Sequence, residues 1–236
     1  MKIKIIGLVV AMPTEFISIK HALGEGQVIE KEILQTLKFN YKGLEIISML
    51  SNIGKAASAS TTTLLFSQYK CDIIINVGSC GGLNKAIKGS IIVSNKAAYC
   101  DVDVTAFNYK LGQMAEQPEA FISSNNFIDY NNLCTFIENK YSILKGQVIT
   151  ADSFIADPKI INKIKNMYFN TLAIEMEAAA IAQICYLYNK DFILIKKVSD
   201  LADQDAATHY TEEIKHFPQG VSDILLQAIN YCVQLT

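Results

Sequence analysis

Two segments of this chain, Ala173-Ile-Glu-Met-Glu-Ala-Ala-Ala180 and Val198-Ser-Asp-Leu-Ala-Asp203, place carboxylates where an apolar run gives way to a helix-like run. Open α/β sheets bind ligands outside the carboxyl ends of their strands. Two acid-bearing ends close in sequence suggest acid/base chemistry on a small polar molecule. The same acids would also serve as helix caps, because Asp and Glu favour first turns. Glu175 and Glu177 are two apart, so in extended chain both side chains face one side. Flanked by Ile174 and Met176, they should be partly buried, which is costly unless they are hydrogen-bonded or employed. Asp200 follows Ser199, and Asp203, one helical turn on, reads as structural. Glu15, taken by itself, reads as an exposed helical glutamate. Gly78-Ser79-Cys80-Gly81-Gly82 matches neither G-x-G-x-x-G nor a Gly-Lys-Ser/Thr signature. It reads as a tight turn using glycine conformations, or as backbone brought close to a ligand with the Ser79 hydroxyl as a contact.

The elements that must position these groups follow from the hydrophobic pattern. Residues 3–10 form a β-branched apolar run suited to a buried first strand, and Pro13-Thr14-Glu15 opens a helix toward Leu23. Residues 27–50 hold β-type runs broken by a hairpin at Asn40-Tyr-Lys-Gly43. Further strands are expected over residues 72–77, 89–99, 147–151, 171–174 and 192–198. Helices are expected from just after Gly54-Lys55 to about residue 69, and over 126–140, 158–167, 178–188 and 211–232. Residues 100–125 carry no clear period, and so long an irregular segment in a compact domain is often functional. Strands alternating with helices give an α/β fold with a central mixed sheet flanked by helices. With no repeat or linker, residues 1–236 are expected to form a single domain.

Composition narrows the function. Half of the 236 residues are hydrophobic and 19% are charged, which argues against disorder. The net charge of −2 gives no basic footprint for nucleic acid. All 21 basic residues are lysine. Arginine is the preferred bidentate clamp for phosphate and carboxylate, so its absence weakens functions built on such clamps. The six cysteines are scattered, with no Cys-x-x-Cys pair and no metal-ligand spacing. Several sit in apolar runs and read as small buried hydrophobes, which fits a reducing cytoplasm. Residues 1–7 resemble a signal peptide only briefly before Pro13, Thr14 and Glu15 intervene. No long uncharged apolar stretch predicts a membrane span.

Seven motifs then occur in a recognisable order: Ala11-Met12…Glu15, Ser51-Asn-Ile-Gly-Lys55, Asn76-Val-Gly-Ser-Cys-Gly-Gly82, Asp103-Val-Thr-Ala-Phe107, Ala151-Asp-Ser-Phe154, Glu175-Met-Glu177 and Ser199-Asp-Leu-Ala-Asp203. Together, over about residues 1–210, the chain resembles the 5′-methylthioadenosine/S-adenosylhomocysteine nucleosidases of the purine nucleoside phosphorylase superfamily. The resemblance implies cofactor-free hydrolysis of an adenine–ribose bond through an oxocarbenium-like transition state. Asp200 matches the general acid that protonates adenine at N7, and Glu15 the residue that activates water. These roles require Asp200 protonated and Glu15 ionised, hence different environments. By the same resemblance Glu177 binds the ribose hydroxyls and Met176 packs on the sugar. Phe154 stacks on adenine, and the Ile155 backbone reads the base edge. Ser79 lies near ribose and water, with Glu175, Ser199 and Ile53 in the same pocket, and Tyr210, usually phenylalanine, closes the 5′ end. Val104, Phe107 and Tyr109 fall on a loop that, in the family, crosses a homodimer interface to cover the partner's alkylthio pocket.

Departures from the pattern bear on substrate preference more than on reaction type. Pro13-Thr14 replaces an acidic pair, Asn52 a glycine, Ala115 a proline, and Lys196 an arginine near the ribose glutamate. Lys196 is expected to pair with Glu177 as a point charge. Three other readings stay open at this stage: a nucleoside phosphorylase, a futalosine hydrolase, and a non-catalytic nucleoside-binding protein on the same scaffold.

Overall fold

The structure, a computed structural model, describes residues 2–30, 34–203 and 205–236. Positions 1, 31–33 and 204 lie outside the described residues; they touch the leading segment, the 27–50 β region and the stretch after Asp203 discussed above. In chain order the elements are β1 (Ile5–Val10), α1 (Pro13–Leu23), β2 (Gln27–Glu30), β3 (Thr36–Tyr41), β4 (Leu44–Leu50), α2 (Lys55–Ser67), β5 (Ile73–Gly82), β6 (Ile91–Ser94), β7 (Lys96–Tyr99), β8 (Phe121–Ile122), α3 (Tyr130–Glu138), β9 (Leu144–Lys145), β10 (Gln147–Thr150), α4 (Pro158–Met167), β11 (Thr171–Glu175), α5 (Ala178–Leu187), β12 (Asp191–Asp200), α6 (Ala206–Glu213) and α7 (Pro218–Val233). All the described strands join one mixed sheet flanked by helices. No helix among the described residues is long and apolar enough to cross a membrane.

The central strands are apolar on both faces, as expected where helices cover both sides. Ile6, Leu8 and Val10 of β1, Ile73, Ile75 and Val77 of β5, and Ile193 and Ile195 of β12 face a core closed by α1, α3 and α7. The alternate residues Val9, Ile74, Phe192 and Leu194 face a second core with α2 and α5. This period-two division fixes register, because a slip of one residue would exchange the two faces.

β5 is the hub of the sheet. Over Ile73–Asn76 it pairs in parallel with β1 on one side and with β12 on the other. Where β1 ends, β5 continues, and Gly81 and Gly82 pair antiparallel with Ile174 and Ala173 of β11. The carboxyl ends of β1, β11 and β12 therefore converge around the last half of β5.

Several boundaries differ from the sequence reading, each for a physical reason. Gly78–Gly82 is not a tight turn; it is the end of β5, paired on both sides, and none of its three glycines has positive φ. The single strand expected over 89–99 is broken at Asn95 into β6 and β7, which pair with different neighbours. The helix expected from residue 126 starts at Tyr130, because the Asn126, Phe127 and Ile128 amides donate to the Asp191 carboxylate instead of entering a helix. The last helix is two, α6 and α7, with Pro218 opening α7 and a non-helical kink at Gln219 and Gly220. The hairpin at Asn40–Gly43 joins β3 to β4 as expected. Five of the six cysteines are buried.

Candidate active site

A cavity of about 450 Å³ opens at the converging strand ends. Its walls include Glu15, Ile53, Ser79, Phe154, Ile155, Glu175, Met176, Glu177, Ser199, Asp200 and Tyr210. The chain thus brings together every candidate except Val104, Phe107 and Tyr109. Those three lie on the 100–125 segment, around a single 3₁₀ turn at Thr105–Phe107, and Phe107 is 75% exposed.

Glu15 stands in the first turn of α1, so it is a helix-start acid as its local sequence suggested, yet it is buried rather than exposed. One oxygen accepts from the amides of Ala11 (3.1 Å) and Met12 (3.2 Å). The other accepts from the Ser79 amide (2.8 Å) and hydroxyl (3.0 Å). Burial raises its pKa, opposed by the Ser79 hydrogen bonds and the Lys196 charge.

Asp200 ends β12 and is also buried, but has fewer donors: Ser199 Oγ at 2.8 Å and the Ala202 amide at 2.9 Å. Ser199 Oγ also lies 3.2 Å from the Cys80 carbonyl. When Asp200 is protonated, the Ser199 hydroxyl can accept from it and donate its hydrogen bond to the Cys80 carbonyl, so the serine accommodates either state of the acid. Burial raises the Asp200 pKa against those two hydrogen bonds. Ala202, whose amide reaches back to Asp200, has φ of 52°, strained for a residue with a β-carbon. The two acids do sit in different surroundings, Glu15 with four donors and a nearby ammonium, Asp200 with two donors. Both are nevertheless displaced upward.

The glutamate pair divides its work. Glu175 ends β11, and both of its oxygens are committed: to Thr150 Oγ1, to Lys196 Nζ at 2.8 Å, and to the Glu177 and Ala178 amides that open α5. Lys196, 1% exposed, thus pairs with Glu175 and not, as expected from the sequence, with Glu177. Burial works to lower the Lys196 pKa, but the charges of Glu175 and Glu177 outweigh it and leave it raised. Glu177 receives the Gly54 amide at 2.8 Å on one oxygen, which draws the Ile53 loop to the cavity. Burial, then the Glu175 charge, pushes its pKa up to about 8.

The glycines of β5 are what allow this crowding. A β-carbon on Gly78 would stand 3.1 Å from Lys196 Nζ and 3.3 Å from Glu15 Oε1, and one on Gly81 would stand 3.2 Å from Asp200 Oδ1. The glycines here admit close approach by Glu15, Lys196 and Asp200, and the turn reading does not hold. Asn52 has φ of 68°, a left-handed conformation that asparagine tolerates better than other side chains, which explains why it can stand in a glycine position.

Tyr210, on α6, donates its hydroxyl to Met12 Sδ at 2.9 Å, and its ring meets Phe154 edge-on at 5.9 Å. Met12, Cys80, Ala202, Ala207 and Thr211 are also among the wall residues, without having been singled out as site residues. Thr150, which holds both Glu175 and the Ala179 amide, was also missed. Its only signal was its place at the end of an apolar run beside the Ala151-Asp-Ser-Phe154 motif.

Comparison with known proteins decides the family. Residues 5–231 match the family model described as the phosphorylase superfamily. The 5′-methylthioadenosine/S-adenosylhomocysteine nucleosidase of Buchnera aphidicola is 36% identical over 210 residues, covering 89% of each chain. The chain belongs to this nucleosidase family of the phosphorylase superfamily. A solved structure of the nucleosidase from S. pneumoniae, with the transition-state inhibitor MT-ImmA, superposes on it with a TM-score of 0.86 at 32% identity, covering 95% of this chain and 98% of that one. A futalosine hydrolase from Helicobacter pylori shares the fold, with a TM-score of 0.89 and coverage of 97% and 98%, at 24% identity. At that identity the likeness concerns the fold alone, whereas the nucleosidase relatives share the sequence as well.

Proposed function

We propose that this protein hydrolyses the N-glycosidic bond of 5′-methylthioadenosine and S-adenosylhomocysteine, releasing adenine and the 5′-thio-substituted ribose. The observation that carries the reading is the pairing, across one cavity, of a buried Asp200, its pKa raised by burial, with a buried Glu15 whose oxygens take four donors, two of them from Ser79. Asp200 gives its proton to N7 of adenine, so the base leaves neutral as the C1′–N9 bond breaks and its electrons go to the base. Water adds to C1′, and its proton passes to ionised Glu15. The oxygen of Glu177 that Gly54 does not occupy accepts from the ribose hydroxyls. Met176 packs on the sugar, Phe154 on the base, and the Ile155 backbone reads the base edge. Glu175 and Lys196 hold the frame that orients Glu177.

A phosphorylase reading is less well supported, because the chain has no arginine to clamp phosphate and has in Glu15 a base that water requires. Adenine release from methylthioadenosine should proceed without phosphate and yield free methylthioribose. Strict phosphate dependence with a sugar 1-phosphate product would reject the hydrolase reading.

The active unit of this proposal is a homodimer in the cytoplasm. Phe107 has little contact within its own chain and would cover the partner's alkylthio pocket. The six free thiols fit a reducing compartment. Burying a phenylalanine contributes about 1.5–3 kcal/mol. Phe107→Ala should therefore raise KM for methylthioadenosine roughly tenfold or more, and raise it less for adenosine. Equal losses for both nucleosides, or a fully active monomer, would contradict the shared site.

A further inference from the structure

The helix that carries Tyr210 has almost no apolar anchor. Within α6 only Ala206 is buried, so no hydrophobic stripe fixes its rotation, while Ala207, Tyr210 and Thr211 form one wall of the cavity. Its last turn carries two acids, Glu212 and Glu213, and no base, which opposes the helix macrodipole. Such a local conflict calls for a compensating partner. The partner is Lys197 of β12, a lysine only 5% exposed that the reaction described above leaves unused. Its Nζ lies 3.0 Å from Glu213 Oε1 and 2.7 Å from the His216 carbonyl. Lys88, from the β5–β6 connection, adds a second cation 3.9 Å from both Glu212 and Glu213.

Neighbouring residues of a strand point to opposite faces. Lys196 accordingly turns to Glu175, and Lys197 to the end of α6. Burying a charge is costly without a partner, and a buried pair contributes orientation more than stability. Glu213 stands one helical turn from Tyr210, and Lys197 three residues from Asp200. The pair thus refers the position of the Tyr210 wall to the strand that carries the acid.

We propose that Lys197 and Glu213 form a latch that holds α6 over the cavity and sets the affinity for the 5′ substituent of the nucleoside, with Lys197 acting as a positioning residue. The identity of that substituent rests on the nucleosidase reading. Lys197→Met and Glu213→Gln should each raise KM for methylthioadenosine by about five- to tenfold with kcat within about twofold, the pattern of lost uniform binding. Adenine affinity should stay within about twofold, because the base contacts lie off α6. The double variant should lose little more than the larger single loss, as expected for groups acting as one unit. Amides of residues 206–213 should exchange hydrogen faster in each variant, a readout that needs no substrate. Unchanged KM in the folded variants, equal weakening of adenine and methylthioadenosine, or unchanged exchange in α6 would overturn the latch. Glu213→Gln, a change at a partly exposed helix position, decides the matter even if Lys197→Met does not fold. A wild-type protein that releases no adenine would reject the nucleosidase reading, while α6 exchange would still decide whether the latch exists.

Discussion

Asp191 and Asp200 stand at the two ends of β12, both buried, and differ in how their oxygens are used. Asp191 takes two donors on each oxygen: Ser124 Oγ and the Asn126 amide on one, the Phe127 and Ile128 amides on the other. Its lone pairs are filled by a segment more than sixty residues away in sequence, which it fastens to the sheet. Asp200 takes one donor on each oxygen, faces a cavity, and holds its proton above the ordinary carboxylate range because burial outweighs those two bonds. One strand therefore carries a fully hydrogen-bonded carboxylate at its amino end and, at its carboxyl end on the cavity wall, one with spare acceptor capacity that the proposed reaction uses. The glutamates repeat the division over two residues, with Glu175 saturated and Glu177 holding an oxygen in reserve. Neither burial nor donor count alone separates these acids: Glu15 takes two donors on each oxygen, as Asp191 does, yet lines the cavity.

The comparison can be broken most decisively at Asp200. Asp200→Asn keeps the side-chain shape but cannot donate a carboxylic proton. It should lower kcat by about 10²–10⁴-fold while leaving thermal stability and nucleoside binding measurable and near wild type. Activity within a few-fold of wild type would reduce Asp200 to a cap of the turn at Ala202. Asp191→Ala should do the reverse. It strands four donors, three of them backbone amides, and should cost about 3–5 kcal/mol, a fall in Tm of roughly 10 °C for a chain of this size. Turnover per folded molecule should stay within about twofold. A loss of kcat without loss of Tm would merge the two ends.

Glu177→Gln sharpens the same distinction through pH. Folded Glu177 titrates at about 8, against an ordinary value of 4.5. A carboxyl raised on folding contributes stability that is complete below about pH 4.5 and is lost as pH climbs through 8. A glutamine there has no such loss. The variant should match wild type near pH 4 and gain at least about 1 kcal/mol, or roughly 2–4 °C, by pH 8.5, while binding ribose poorly. Parallel Tm profiles for the two proteins would show that Glu177 is not held protonated by its burial.

Much of this was legible in the sequence because local pattern and tertiary environment agree there. The apolar runs of β1, β10, β11 and β12 and the helix starts at Pro13 and Pro158 lie close to where the pattern puts them. The motif order brought eleven of the fourteen candidate residues to one cavity. The remainder depends on distant partners. Gly78–Gly82 looks like punctuation, but β11 and β12 supply pairing on both sides and make it strand. The helix expected from residue 126 loses its first residues because a carboxylate from β12 takes the amides of 126–128. Glu175 and Glu177 are alike in sequence and are told apart only by Thr150, Lys196 and Gly54. The break between α6 and α7 falls at Pro218 and Gly220.

The central claim is that water, activated at Glu15, replaces adenine at C1′ after Asp200 protonates the base. It is tested most directly by running a brief reaction in ¹⁸O-labelled water without phosphate, reducing the sugar at once so that it cannot exchange oxygen with solvent, and weighing it. The account predicts one ¹⁸O atom at C1 of the trapped methylthioribose from the earliest time points. Unlabelled sugar, or sugar released only as a 1-phosphate when phosphate is supplied, would contradict it.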